Sequence, residues 1–169
     1  MPENGTQEFH PELASRRGEI NAWAFALLTA FGVFILQTNQ KVPIWAWIFL
    51  VFLIFSAVSI SLGNFIDRKS TIVMKENGVH FENGLRSVQL DWPEIHKVAV
   101  LPSRWGKNVQ VIGEKSHFGF KTLGEVQFQG EVRGRTGFAA GEKLLDTILK
   151  KANLQLVEQK DKEYYYARG

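Results

Sequence analysis

Two long stretches without a single charged side chain constrain this chain more than anything else in its 169 residues. No Asp, Glu, Lys or Arg lies between Glu19 and Lys41, and residues 22–36 are almost wholly apolar, interrupted by Thr29 and Gly32. A second uncharged run, 42–66, has residues 44–55 as its apolar heart. A bilayer-spanning helix needs about 20 apolar residues, so the sequence predicts transmembrane helices at 21–37 and 43–65 within an anchor of residues 20–66. The polar link 37–41, followed by Pro43, is too short for anything but a tight helical hairpin. Trp45 and Trp47 fall at interface depth and Trp23 at the opposite interface, where the amphipathic indole is favoured. A cleaved signal peptide fits poorly, because four Glu precede the first run and no small-residue cleavage pattern follows Leu36.

Arg16 and Arg17 before the first run and Arg68 and Lys69 after the second outnumber Lys41 in the link. This places both termini in the cytoplasm or its equivalent. Residues 1–19 then form a cytoplasmic N-terminal segment. The formal net charge of +3 is too mild to suggest a nucleic-acid partner. There is no cysteine, hence no disulfide framework and no thiolate chemistry.

From Ser70 onward the pattern changes to short alternating runs separated by turn residues, which argues antiparallel strands. The runs are 70–76, 79–82, 85–90, 96–101, 108–113, 116–121 and 126–130. Asn77-Gly78 and Asn83-Gly84 are expected to close type I′ turns, in which both central residues take positive φ. Asp91 is a candidate N-cap, with Pro93 in the first turn after it. After a glycine-rich break at 134–137, a helix is expected over 139–152. Leu145, Ile148, Leu149 and Ala152 form its apolar stripe, with Glu142 and Lys150-Lys151 matching the helix dipole. The soluble domain is thus 67–157, and 158–169 is expected to be a flexible tail. The fold class is α+β, a helical hairpin followed by a seven-stranded antiparallel β barrel or sandwich capped by a C-terminal helix.

In this order, Ile72-Val73-Met74, Asn77-Gly78-Val79, Leu90-Asp91-Trp92-Pro93-Glu94-Ile95 with Val98, and Phe138 leading into Leu144-Leu145 resemble the bacterial pleckstrin-homology-like domain found behind two-helix anchors. The layout is also similar to the two-helix assembly factor for photosystem I of chloroplasts and cyanobacteria, in Asp67-Arg68-Lys69 after the hairpin and in Ile72-Val73. Both resemblances imply scaffolds, assembly factors or binding modules, and neither brings catalytic residues or a cofactor with it.

The residues themselves carry little catalytic chemistry. His10, His80, His96 and His117 are scattered without metal-ligand spacing, and no phosphate loop or nucleophile elbow occurs. Asp91 with Glu94, and Glu142 with Asp146, have simpler roles at caps and helix ends. No enzyme, cofactor or metal site is therefore expected. The contact candidate is Arg104-Trp105-Gly106-Lys107, where an aromatic at a loop tip flanked by cations can meet a partner pocket or lipid headgroups. Arg133 with Arg135 and the run Tyr164, Tyr165, Tyr166 are secondary candidates. The domain would follow the second helix after three residues and so lie against the bilayer, where it meets another integral membrane protein or complex at raised effective concentration. Recognition of lipid headgroups by the same domain is the competing reading.

Overall fold

The computed structural model describes residues 6–12, 15–39 and 41–168, apart from the side chains of Asn39, Phe128 and Arg133. In chain order the elements are β1 (Gln7–Phe9), β2 (Pro11–Glu12), α1 (Arg17–Asn39), α2 (Ile44–Lys69), β3 (Thr71–Met74), β4 (Gly78–Glu82) and β5 (Ser87–Asp91). After a 3-10 turn at Trp92–Glu94 come β6 (Ile95–Pro102), β7 (Lys107–Gly113), β8 (His117–Lys121), β9 (Gly124–Phe128), β10 (Glu131–Phe138), α3 (Gly141–Lys151), β11 (Gln155–Lys160) and β12 (Glu163–Ala167). The chain divides into a helical unit, Ser15–Ile66, and a β-rich unit built from the described residues on both sides of it.

In the helical unit, α1 and α2 are 23 and 26 residues long. At 1.5 Å per residue they reach about 35 and 39 Å, enough for a hydrocarbon core of about 30 Å. Only 11% of either apolar window is buried, by a seam that includes Ala26 and Val33 on α1 and Ala46, Leu50 and Ala57 on α2. Phe25, Leu28, Phe34 and Phe55 are each about two-thirds exposed. Helices apolar all round suit lipid or a protein interior better than water. The hydroxyls of Ser56 and Ser59 donate back to the carbonyls of Phe52 and Phe55, which satisfies them within the helix. Both helices exceed the expected 21–37 and 43–65. Arg68 and Lys69, expected to lie beyond the second helix, form the last turn of α2, where cations suit the dipole. Gln40 of the link lies outside the described residues.

In the β-rich unit all seven expected strands form, as β3 to β9. Three antiparallel sheets result, in the orders β1-β3-β4-β5, β11-β12-β6-β7-β8 and β2-β10-β9. Alternation in β3, β4 and β5 turns Ile72, Met74, Val79, Phe81, Val88 and Leu90 inward. Val98, Val100, Val109, Val111, Phe118 and Phe120 of the second sheet meet them in one core. Phe81 stacks on Phe118 at 5.2 Å between ring centroids, and Phe120 meets Phe138 of β10 edge-on at 5.9 Å. Leu145 and Ile148 of α3, with Ala152 just past its end, join this core, as the expected stripe requires; Leu144, outside that stripe, joins it too, while Leu149 is only partly buried.

Four expectations need correction. The two Asn-Gly pairs do not form type I′ turns. Met74 pairs with Val79 and the Lys75 amide donates to the Gly78 carbonyl, so Glu76-Asn77 is the loop and Gly78 already lies in β4. Gly78 is needed there because a Cβ would collide with the Leu90 carbonyl. In the second turn only Gly84 has positive φ, 76°, which is the pattern of a type II′ turn with Gly first. Asn83 serves through its side chain, its Oδ1 accepting from the amides of Leu85 and Arg86.

Second, the glycine-rich break at 134–137 is strand. β10 pairs with β9 through a bulge between Val132 and Gly134. Third, the described residues 7–12 of the expected N-terminal segment do not stand apart from the sheets that follow the helices. β1 pairs with β3 (Phe9 with Ile72) and β2 with β10 (Phe138 with Pro11). Fourth, α3 does not end the fold, and of the tail expected at 158–169 the described residues 158–167 belong to a strand hairpin. β11 and β12 make a hairpin, and β12 adds to β6 with Tyr164, Tyr165 and Tyr166 opposite Val100, Ala99 and Val98. Arg168 then donates from Nη2 to the carbonyls of Trp92, Ile95 and Ala152 at 3.2, 3.4 and 3.4 Å.

Candidate functional site

The Arg104–Lys107 segment joins β6 to β7, and Pro102 pairs with Lys107 across it. The loop is fixed from beneath by Thr122, which is buried. Its hydroxyl accepts from the Lys107 amide at 2.9 Å, and its own amide donates to the Lys107 carbonyl at 2.9 Å. Four glycines close around this threonine and the loop. Gly106 has φ 74° and Gly137 φ 89°, and a Cβ on Gly106, Gly137 or Gly141 would strike Thr122. A Cβ on Gly124 would strike the Trp105 backbone. In the fold these glycines permit close backbone approach. We therefore expect Gly137→Val to lower the melting temperature of the full chain by 10 °C or more, because strain and collision together exceed about 2 kcal/mol. Gly130→Ala, at positive φ but in open space, should cost clearly less.

On this fixed backbone Trp105 remains 40% exposed. The Arg104 guanidinium lies 5.1 Å from its ring centroid, a cation–π distance that holds both side chains together. Lys107 is engaged elsewhere. Its Nζ lies 3.0 and 3.1 Å from the two carboxylate oxygens of Glu142, in the first turn of α3. The tip thus presents one aromatic and one cation rather than an aromatic between two cations.

The secondary candidates separate from this loop. Arg135 pairs with Glu125 across the β9–β10 ladder at 3.1 Å, and the side chain of Arg133 lies outside the described residues. Tyr164 and Tyr166 pack against the core. Tyr165 faces the other way, donating its hydroxyl to Glu163 at 2.7 Å beneath the Lys97 ammonium. The Glu163 carboxylate holds the Tyr165 phenol above its ordinary pKa, because losing the proton would lose the bond and set two anions together. A tyrosine run built into a central strand cannot serve as a free docking peptide.

His10, His80 and His96 each lie near one carboxylate, those of Glu8, Glu82 and Glu114, at 3.2, 3.9 and 3.3 Å. No cluster of three possible metal donors occurs among the described residues. His80 is not the freely solvated strand residue its alternation suggests, since its Nδ1 is buried without a hydrogen-bond partner. A polar cleft of about 820 Å³, lined by Thr6, Lys75, Glu76, Asn77, Gly78, Gln89 and Asp91, was not anticipated. Thr122 and Glu142, which set the Trp105 loop, were also missed. The concentration of glycine at 124, 137 and 141 was the available signal for Thr122, and the pairing of Lys107 with Glu142 had none. No family model, no curated protein and no solved structure matches this chain.

Proposed function

We propose that the chain is a non-catalytic, membrane-anchored scaffold or assembly subunit that holds another integral membrane protein through the Trp105 loop. The observation that carries this reading is an exposed tryptophan on a backbone that Thr122 and its surrounding glycines hold rigid. Such a side chain loses little entropy on binding, and aromatic anchors of this kind dominate interface energies. The β-rich unit supports a pleckstrin-homology-like reading through its seven strands followed by α3. It differs by five further strands, β1 and β2 from before the helical hairpin, β10 before α3, and β11 and β12 after it. Strands from the two sides of the helices, β1 and β3, share one sheet, so a chain that crosses a membrane in α1 must return in α2. Together with the basic flanks this supports cytoplasmic termini, in a bacterial inner membrane or a thylakoid-like one. A cysteine at Lys41 should then react only with reagent applied from the non-cytoplasmic side.

Co-purification of the full chain from mild detergent, followed by mass spectrometry, tests the scaffold. Trp105→Ala should reduce partner recovery severalfold while the melting temperature stays within about 2 °C, as for substitutions away from the core. Recovery from the unaltered chain should persist in high salt. The lipid-headgroup reading is favoured by Arg104 alone and expects association that salt abolishes. Unchanged recovery in Trp105→Ala, with normal melting, would end the proposal for this loop.

A further inference from the structure

The chain enters and leaves the helices from one end of the β1-β3-β4-β5 sheet. Ser70 alone separates the end of α2 at Lys69 from Thr71 of β3. Because β1 runs antiparallel to β3, with Phe9 beside Ile72, the chain bound for α1 leaves the sheet at that same end. Thr71, Glu82 and Ser87 stand side by side there, and the β4–β5 turn, Asn83-Gly84-Leu85-Arg86, extends the sheet beyond them by about 5 Å. Ile66 is the last apolar residue of α2 before Asp67, Arg68 and Lys69. Three residues of helix and two of extended chain then put Thr71 at most about 12 Å past Ile66, against a headgroup layer roughly 5–7 Å deep. The turn is within reach of the headgroups. Leu85 at its tip is 63% exposed. Asn83 Oδ1 accepts from the amides of Leu85 and Arg86 at 3.2 and 2.9 Å, which fixes the turn with the leucine outward. The Arg86 guanidinium forms no ion pair among the described residues.

We propose that this turn is a bilayer contact in its own right, with Leu85 entering the boundary between headgroups and acyl chains and Arg86 pairing with lipid phosphates. An exposed apolar side chain beside a cation without a partner suits that boundary, where the one finds hydrocarbon and the other finds phosphate. One leucine and one arginine would hold a free protein only weakly. Here the two covalent connections already keep this end of the sheet at the bilayer, so a weak contact is enough to seat the unit. Any bilayer with phosphate headgroups serves. The contact therefore reads no particular lipid, unlike the headgroup recognition weighed for the Trp105 loop. At the opposite end of the same strands, the exposed Glu76-Asn77 loop offers an acid and an amide in place of leucine and arginine, and it stays in water. The proposal rests on the reading of α1 and α2 as membrane-spanning.

The chain has no cysteine, so Leu85→Cys provides a single site for a fluorophore whose quenching by spin-labelled lipid reports its depth. The full chain is reconstituted in vesicles of phosphatidylcholine and phosphatidylglycerol that carry a nitroxide near the carboxyl end of an acyl chain. A probe at Leu85→Cys should be quenched severalfold more strongly than one at Asn77→Cys. Adding Arg86→Glu to the labelled Leu85→Cys chain should lower its quenching to the Asn77→Cys level. Quenching that persists in that variant would show that the label rather than the turn seeks the bilayer, and overturns the proposal. Equal quenching at Leu85→Cys and Asn77→Cys also overturns it, leaving the turn to water or to a protein partner. A probe at Phe65→Cys, where the native side chain is 44% exposed on α2, keeps the two readings apart. If that probe is not quenched, the membrane-spanning reading of the helices fails, and the contact at Leu85 with it.

Discussion

Removing residues 163–169 abolishes the cooperative unfolding transition of the β-rich unit. The expectation follows from the place of β12 in its sheet, between β11 and β6. Without it β6 loses one of its two partners and β11 loses the strand it pairs with. Tyr164 and Tyr166 no longer cover the core beside Val98 and Val100, a loss of about 1.5 kcal/mol or more for each large side chain. Arg168 is removed with them, freeing three carbonyls that it gathers from the 3-10 turn, β6 and the residue after α3. Arg168→Ala alone should cost about 1.5–3 kcal/mol, the range for hydrogen bonds to a charged group, read as a melting shift of about 5–15 °C. Thermal denaturation of the full chain in detergent measures both. A truncated chain that melts like the intact one would show that β12 contributes no stability.

The second large effect belongs to α3. Ile148→Asp and Leu145→Asp should each cost several kcal/mol, enough to unfold the β-rich unit at ordinary temperature, because a carboxylate without a partner would replace a buried alkyl group. Ile148 is 0% and Leu145 6% exposed, whereas Leu149 only borders the core. Leu149→Asp should therefore be milder, and Lys150→Asp, on the solvated face, should change stability by no more than about 1 kcal/mol. The ranking is the test. If Leu149→Asp proves the most damaging of the four, α3 packs by a different face.

Elements with a strong period of their own were legible before the fold was known. Both apolar runs, the alternating strands β3 to β8 and the stripe of α3 each satisfy one template within one segment. What escaped is settled between segments. β1 and β2 are three and two residues long and become strands only because β3 and β10 offer them edges. Tyr164-Tyr165-Tyr166 shows no alternation in sequence, since the same residue type serves the core face and the outer face. Asn83 was chosen for an acceptor oxygen rather than for positive φ, and Gly78 for close approach rather than for a turn. The Trp105 loop was legible as a break containing an aromatic and two cations. That Lys107 belongs to Glu142, and that Thr122 anchors the loop, depends on chain segments brought together only by folding.

The pairing of β1 with β3 across the two helices also bears on the order in which the protein forms. Phe9 and Ile72 are neighbours in the sheet, but about 60 residues of chain must be looped out between them, and closing such a loop costs roughly 2 kcal/mol more than closing one of about six residues. A hairpin already formed from α1 and α2, with Glu19 bonded to Asn64, brings the two ends of that loop together in advance. Helix pairing should therefore precede sheet closure. The N-terminal strands must wait unpaired during synthesis, β1 until β3 follows the helices and β2 until β10 is made. The slowest phase of folding should then be the late docking of these distant strands, as expected where non-local contacts dominate, and a polar-to-apolar exchange at Asn64 should delay it without altering the sheet itself.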